Sequence, residues 1–408
     1  MAMKQTQTKL FDFKDVGLDF CAGSKSLFPD RFKKMFALGY NAQTVLSVVV
    51  VGNQVTFTYG GAHGYAADRV LKVDSGALAA LHDGEFYIDS VTTNTITMTI
   101  DGAPTSIPSG FSTRIAPLGW DVVYESGLVH IYKFKDLDES DLYLRLAFQP
   151  SEFHRNTIMP CIGRLVDLIN GTITDQNAYA NGKSGNNSAK SMPKWDFTAN
   201  FSGTYNNYSY NQGLSVFGKG VIVGSLYHIL IMSNIETYNP VHTVLNGFVP
   251  CSTLSFGAIN LPMLFTYATS TSAEDIRSSH YGESFGGYVG NTRVSFIQDN
   301  VVSGIPFKAP QAFSSFTQLD PFNTTTTEPI SIYEYSTKQF LGFVAGGAYI
   351  AKYAATNQPI MTRSNAPSKT YEIDFENPVY LHGIGSYSAS STALVVIAVP
   401  VEELKIGA

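Results

Sequence analysis

Val49-Val50-Val51-Gly52-Asn53-Gln54-Val55-Thr56-Phe57-Thr58-Tyr59-Gly60 sets two β-branched runs on either side of a Gly-Asn pair. A dipeptide that accepts positive φ between two such runs marks a tight β-hairpin. The same grammar returns in Gly84-Glu85-Phe86-Tyr87-Ile88-Asp89-Ser90-Val91-Thr92-Thr93-Asn94-Thr95-Ile96-Thr97-Met98-Thr99-Ile100-Asp101-Gly102, which bends at Thr93-Asn94 and closes at Asp101-Gly102. Between the two lie Ala62-His63-Gly64-Tyr65 and the apolar run Val70-Leu71-Lys72-Val73. About five short strands are therefore expected between Leu46 and Ile115, folding as a small barrel or sandwich spliced into a larger body.

Upstream, residues 1–25 show no clear period, and Lys4 to Lys14 reads as an arm that orders against a neighbour. Phe28, Phe32, Met35 and Phe36 then recur at helical spacing, with Ser26 placed to cap and Gly39 to stop a short amphipathic helix. Downstream, His130, Tyr132 and Phe134 share one face of a strand, and Tyr143, Arg145 and Ala147 one face of its antiparallel partner, joined by the acidic loop Asp136 to Asp141. Asn170 to Ser191 is Gly/Asn-rich and reads as a flexible loop. Gly218 to Met232 is the most apolar run and reads as a central strand. Thr266 to Asn291 and Pro306 to Glu328 read as exposed excursions, and strands over 329–335, 370–375 and 393–400 close a last sheet. The expected fold is all-β, mainly an antiparallel sandwich or barrel, with one short N-terminal helix and a small inserted β domain. Residues 1–45 form the arm and helix of the main body, 46–115 the insert, and 116–408 the main β-sandwich.

Charged residues make up only 15% of the 408 residues, against roughly 25% in an ordinary globular chain. With 23 tyrosines and abundant Gly, Thr, Ser and Asn, such a surface favours burial against partner subunits. A net charge of -6 argues against a continuous basic footprint for nucleic acid. Cys21, Cys161 and Cys251 are far apart, and no Cys or His pair stands at zinc spacing, so reduced, buried thiols are expected. No stretch approaches the ~20 apolar residues that span a bilayer and no secretory leader is visible, so synthesis in a cytoplasm and no membrane insertion are expected. The Asn-x-Ser/Thr matches at Asn186, Asn207 and Asn323 then carry little meaning.

Motifs with a chemical reading are few. Gly282-Glu283-Ser284-Phe285-Gly286 matches the nucleophile elbow, with Asp299 and His382 in the expected order, but no apolar strand precedes it and no helical period follows. Gly218-Lys219-Gly220-Val221-Ile222-Val223-Gly224 misses dinucleotide spacing and enters a strand rather than a helix. Asp136 to Asp141 lacks the glycine and distal Glu of a Ca²⁺ loop, which makes it a solvated hairpin tip. His154 and Cys161 supply two ligands where zinc needs four. His63, beside Gly64, is expected to donate a hydrogen bond within its turn. Tyr205, Tyr208 and Tyr210 with Asn206, Asn207 and Asn211 offer stacking for a sugar or base, or a protein interface. The expected catalytic, cofactor-binding and metal-binding residues are therefore none.

The assembled pattern resembles a family of tailed-bacteriophage virion proteins. It rests on Phe36-Ala37-Leu38-Gly39-Tyr40 ending the helix, on Gly119-Trp120 before a hydrophobic strand, and on Tyr143-Leu144-Arg145. An insert of similar wording lies between, in Asn53 to Thr58, His63-Gly64, Gly84 to Phe86 and Ser90 to Thr92, followed by Trp195, Phe217-Gly218, Val221 to Met232 and Ile332 to Gly347. Where that family carries Leu-Arg-Val-Asp-Asp, this chain has Leu144-Arg145-Leu146-Ala147-Phe148, so any role of those acids is lost. The resemblance implies a non-enzymatic tail component of the virion, a homo-oligomeric ring or sheath-like layer around the tail tube or baseplate. Contact with tube, adaptor or fibre proteins is then expected, and the charge balance and lack of a site add the expectation of no nucleic acid and no cofactor. The rival expectation is an adsorption protein that binds a host surface glycan through Tyr205 to Tyr210 or Thr266 to Asn291. An enzyme acting on cell-wall polymer would need paired carboxylates across a cleft, and the sequence offers no obvious pair.

Overall fold

The computed structural model describes residues 8–149, 156–185, 193–197, 208–213, 220–234, 243–254, 261–268, 286–296, 325–353, 368–371, 378–385 and 393–401. The fold is predominantly antiparallel β, with one principal helix and a small inserted β domain. The insert's sheet begins at Tyr40 and runs in the order Glu85–Tyr87, Val70–Val73, Ser112–Ile115, Tyr40–Val51, Gln54–Tyr59, Thr95–Thr99, Ser90–Val91. Gly52 takes a φ of 60° while Asn53 does not turn positive, which is the type II′ hairpin that matches strand twist. The two outer strands are halves of one run. Ile88 donates its N–H to Arg69 O at 2.9 Å and Asp89 donates to Thr97 O at 3.0 Å, so the run bonds to both ends of the sheet and the sheet closes on itself. Alternation fills the inside: Val55, Phe57, Ile96 and Met98 are fully buried, while Thr56, Thr58, Thr95, Thr97 and Thr99 face outward.

The helix departs from the expected cap. A 3-10 turn, Lys25–Leu27, leads into the α-helix Phe28–Lys33, whose N-cap is Leu27 with Pro29 in the first turn, and not Ser26. Proline suits that position because its missing N–H would be unpaired anyway. The last turn, Lys34–Leu38, is wound as a π-helix, and Gly39 ends it at φ 73° with its N–H on Lys34 O at 2.8 Å. A side chain at Gly39 would collide with Ile115 O of the barrel, so close packing as well as conformation requires glycine there.

A ten-stranded sheet runs from Lys9–Asp12 through Gly220–Gly224, Ile229–Asn234 and Thr243–Val249 to Cys251–Thr253 at the other edge. A six-stranded sheet holds Asp121–Ser126, Val129–Lys135, Asp141–Phe148, Thr157–Gly163, Pro193–Asp196 and Tyr267–Ala268. A five-stranded sheet holds the C-terminal strands. Ile222, Ile229, Ile231 and Phe248 join an aromatic core with the helix and the six-stranded sheet. Their neighbours Val221, Val223, Leu230 and Leu245 join a second, aliphatic core with Ile350, Ile397 and Val399 of the five-stranded sheet. The ten-stranded sheet is thus buried on both faces here, which is why its strands read as continuous apolar runs without alternation.

Several expectations are corrected. The arm pairs with its own chain, Lys9 opposite Gly224 through Asp12 opposite Val221, because Leu10 and Phe11 bury one on each face of that edge. The run read as one strand over Gly218 to Met232 is, in its described part from Gly220, a hairpin: Ser225 Oγ accepts the Tyr227 N–H at 3.1 Å and bonds His228 Nδ1 at 2.7 Å, closing the turn. Residues 171–185 are ordered, since buried Arg145 donates to the carbonyls of Gly171, Gly182 and Gly185. Gly286–Val289 and Thr325–Pro329, read as parts of exposed excursions, are strands. Tyr267–Ala268, in the first of those stretches, is likewise a strand, paired with Pro193 and Lys194, and residues 269–285 and 306–324 lie outside the described residues.

Candidate functional site

The motifs singled out for chemistry do not converge. Gly282 to Phe285 and Asp299 lie outside the described residues, as do His154, Tyr205, Asn206, Asn207, Asn186 and Asn323. His382 is buried under the five-stranded sheet with Nε2 2.8 Å from Val244 O. Gly220 and Gly224 pack against the Phe13 ring and the Leu118 side chain, leaving no room for a phosphate. In the acidic loop the carboxylates diverge: Asp136 takes Arg164 Nη2 at 2.5 Å, Asp141 takes Lys135 at 2.7 Å, and Glu139 accepts the Tyr227 hydroxyl at 2.9 Å. Among the described residues no three metal-ligating side chains come together. His63 accepts the Tyr65 N–H on Nδ1 at 2.9 Å within its turn, and Nε2 faces Thr95 O at 3.2 Å across the barrel. Tyr208 is half-buried against the aromatic core, its N–H on Gly23 O. All three cysteines are free thiols, Cys21 and Cys161 buried and Cys251 half-buried.

One Ser–His pair escaped the sequence. A serine hydroxyl bonded to a histidine is half of a nucleophilic dyad, yet Ser225 and His228 are both 0% exposed and lock a turn. Burial drives the imidazoles of His228 and His382 down to about 3 and about 4. An unfolded chain takes up those protons near pH 6.5, so the unfolded state binds more of them as pH falls below that value. Stability is therefore whole above about pH 6.5 and declines through the window from 6.5 to 4 and then 3, by on the order of 2 kcal/mol per histidine at pH 5. Urea midpoints at pH 7.5 and 5.0 read this directly, and equal midpoints would show both rings hydrated.

What the structure does concentrate is apolar side chains held in the open. The tip Leu165-Val166-Asp167-Leu168-Ile169-Asn170-Gly171 joins the short strands Val166–Asp167 and Thr172–Ile173. Asp167 Oδ2 accepts the Asn170 side-chain amide at 2.6 Å, and Oδ1 accepts the N–H groups of Asn170 at 3.1 Å and Ile169 at 2.8 Å. These donors, Asn170 first, hold its carboxyl below the usual range. Gly171 sits against the Tyr124 ring, and Arg145 grips its carbonyl at 2.9 Å. On this braced frame Leu165, Leu168 and Ile169 are 61%, 46% and 89% exposed. Asn170-Gly171 carries a turn signal that reads, in its Gly/Asn-rich setting, only as the start of a flexible loop, and the exposure was not legible, because leucine and isoleucine read as core.

A second open surface crosses the barrel, where Leu46, Val49 and Val51 are exposed and Val49 lies in one row with Thr56 and Thr97. A third covers the outer face of the ten-stranded sheet near its end. Phe340 lies 4.9 Å from Phe343 and 5.7 Å from Tyr333, both T-shaped, with Phe343 and Leu254 exposed. Beside them Arg293 and Lys338 approach the Tyr335 ring at 3.7 and 4.5 Å. No protein-family model, curated protein or solved structure matches this chain.

Proposed function

We propose that this chain is an architectural component of a bacteriophage tail, a non-enzymatic protein that assembles as a multimeric ring or sheath-like layer around the tail tube or at the baseplate. The observation that carries the reading is the braced tip at Ile169. A soluble chain rarely holds aliphatic side chains in water on a pre-organised backbone unless a partner covers them. The 15% charge content supports it, since so few charges leave little to keep copies apart. So does the sequence resemblance to virion proteins. Its partners are then other copies of itself and neighbouring tube, adaptor or fibre proteins, and its place is the virion tail.

The test has two parts. Purified chain is expected to show a single multi-copy mass by native mass spectrometry, and density-purified particles from a lysate that expresses it are expected to contain it in stoichiometric amount. A monomer absent from the particles overturns the proposal.

A further inference from the structure

We infer that the seam between the five-stranded and ten-stranded sheets is an acid-operated latch: in mildly acidic solution the C-terminal sheet lifts away from a body that stays folded. The inference rests on where two buried histidines lie. His382 stands on Pro378–Gly385 of the five-stranded sheet and reaches Val244 O, on Thr243–Val249 of the ten-stranded one, with Nε2 at 2.8 Å. His228 stands in the turn between Gly220–Gly224 and Ile229–Asn234. Its ring packs on Gly347, in the link from Phe340–Val344 of the ten-stranded sheet to Tyr349–Tyr353 of the five-stranded one. A Cβ at Gly347 would lie 3.0 Å from that ring, so the link closes directly over it. The core that the two sheets share is apolar, with Leu230 and Leu245 on one side and Ile350, Ile397 and Val399 on the other.

Neither ring has a place for a charge. His228 Nδ1 is bonded to Ser225 Oγ, and its buried Nε2 has no hydrogen-bond partner among the described residues, so the charged ring would aim an N–H at Gly347 with no acceptor. His382 already spends its Nε2 proton on a carbonyl, and a second proton sets a charge in the same apolar seam. Charged groups near the seam are engaged elsewhere. Glu139 accepts the hydroxyl of Tyr227, beside His228. Asp12, Asp68, Arg69 and Lys369 act on Tyr380, two positions from His382, while Asp68 bonds Lys369 and Tyr87, and Arg69 bonds Asp15. Among the described residues none of these faces either imidazole: burial alone lowers His228, and burial outweighs the Val244 carbonyl at His382. An open seam takes up both protons near pH 6.5, the closed one only near 4 and 3. At pH 5 each ring therefore favours opening about thirtyfold, and the two together about a thousandfold, relative to pH 7.5. The rest of the body has its own hold, since the barrel, the helix and the six-stranded sheet share the aromatic core on the opposite face of the ten-stranded sheet.

Amide exchange on the full chain at pH 7.5 and 5.0, each rate taken relative to an unstructured chain at the same pH, tests the latch. Protection in Tyr349–Tyr353 and Ala393–Pro400 is expected to fall by up to about a thousandfold at the lower pH, while Gln54–Tyr59 and Asp141–Phe148 keep theirs to within about tenfold. His382→Gln, which keeps a donor for Val244 O and does not titrate, is expected to cut the fall to about thirtyfold. His228→Gln is expected to do the same from the other side of the seam and serves if the first variant does not fold; if neither folds, the comparison of strands in the parent chain decides. An equal fall in all four strands, no fall in the C-terminal pair, or a folded variant with the parent's pH dependence overturns the latch. Each of these results leaves the ring reading where it stands.

Discussion

Arg69→Ala is expected to lower the unfolding free energy by about 3–5 kcal/mol, the range for breaking a buried ion pair by removing one partner. Arg69 reaches Asp15 with both arms of its fork, Nε to Oδ2 at 2.7 Å and Nη2 to Oδ1 at 2.8 Å, and the side chains are 7% and 8% exposed. The Tyr40 hydroxyl donates to the same carboxylate at 2.9 Å, and the Asp12 N–H at 3.0 Å. Burial works against the guanidinium charge, but Asp15 outweighs it and holds Arg69 above its ordinary range. These contacts tie the segment after the first strand to the barrel strand Tyr40–Val51 and to Arg69, which immediately precedes the barrel strand Val70–Val73. Without Arg69 the carboxylate is left buried and uncompensated, and the barrel loses its clamp to the body. Urea unfolding at pH 7 measures the loss. Arg69→Met combined with Asp15→Leu is expected to cost less than either single change, because no bare charge remains. A single-variant loss under about 1 kcal/mol would mean that water reaches the pair.

None of that clamp was visible in the sequence. Asp15 and Arg69 stand 54 positions apart, the first in a stretch without clear period and the second in a gap between motifs that has no reading of its own. Local patterning reports which face of a strand is buried, and it did so well in the insert, where Thr95-Ile96-Thr97-Met98-Thr99 alternates as a half-buried strand should. It reports nothing about which distant charge completes a salt bridge. The same limit explains the misread central run. Val221 to Val223 and Ile229 to Met232 are apolar without alternation because both sheet faces are covered, and between two such runs Gly224, Ser225 and His228 read as part of one strand rather than as a turn. The open surfaces failed for another reason. Ile169 and Phe343 have the composition of core residues, and only placement shows that nothing in the described chain covers them.

The second large effect is expected at Phe32, where Phe32→Ala should cost about 3–5 kcal/mol, the range for emptying a buried aromatic site. Phe32 is 0% exposed, and its ring lies within about 6 Å of the rings of Phe20, Phe28, Phe36, Phe148, Trp195 and Phe197. Those rings come from the segment before the helix, the helix itself, and two strands of the six-stranded sheet, so no single element can shift to fill the space. The void would sit beside Trp195, whose Nε1 donates to Phe265 O at 3.2 Å where one segment passes from the ten-stranded sheet to the six-stranded one. Loosening is therefore expected to spread to that crossing, seen as faster amide exchange at Thr157–Gly163 and Met263–Phe265 than in Asp15–Arg69 variants. Phe32→Leu keeps most of the volume and is expected to lose less than half as much. Equal losses for Ala and Leu would show that ring geometry, and not filled volume, holds the helix to the sheets.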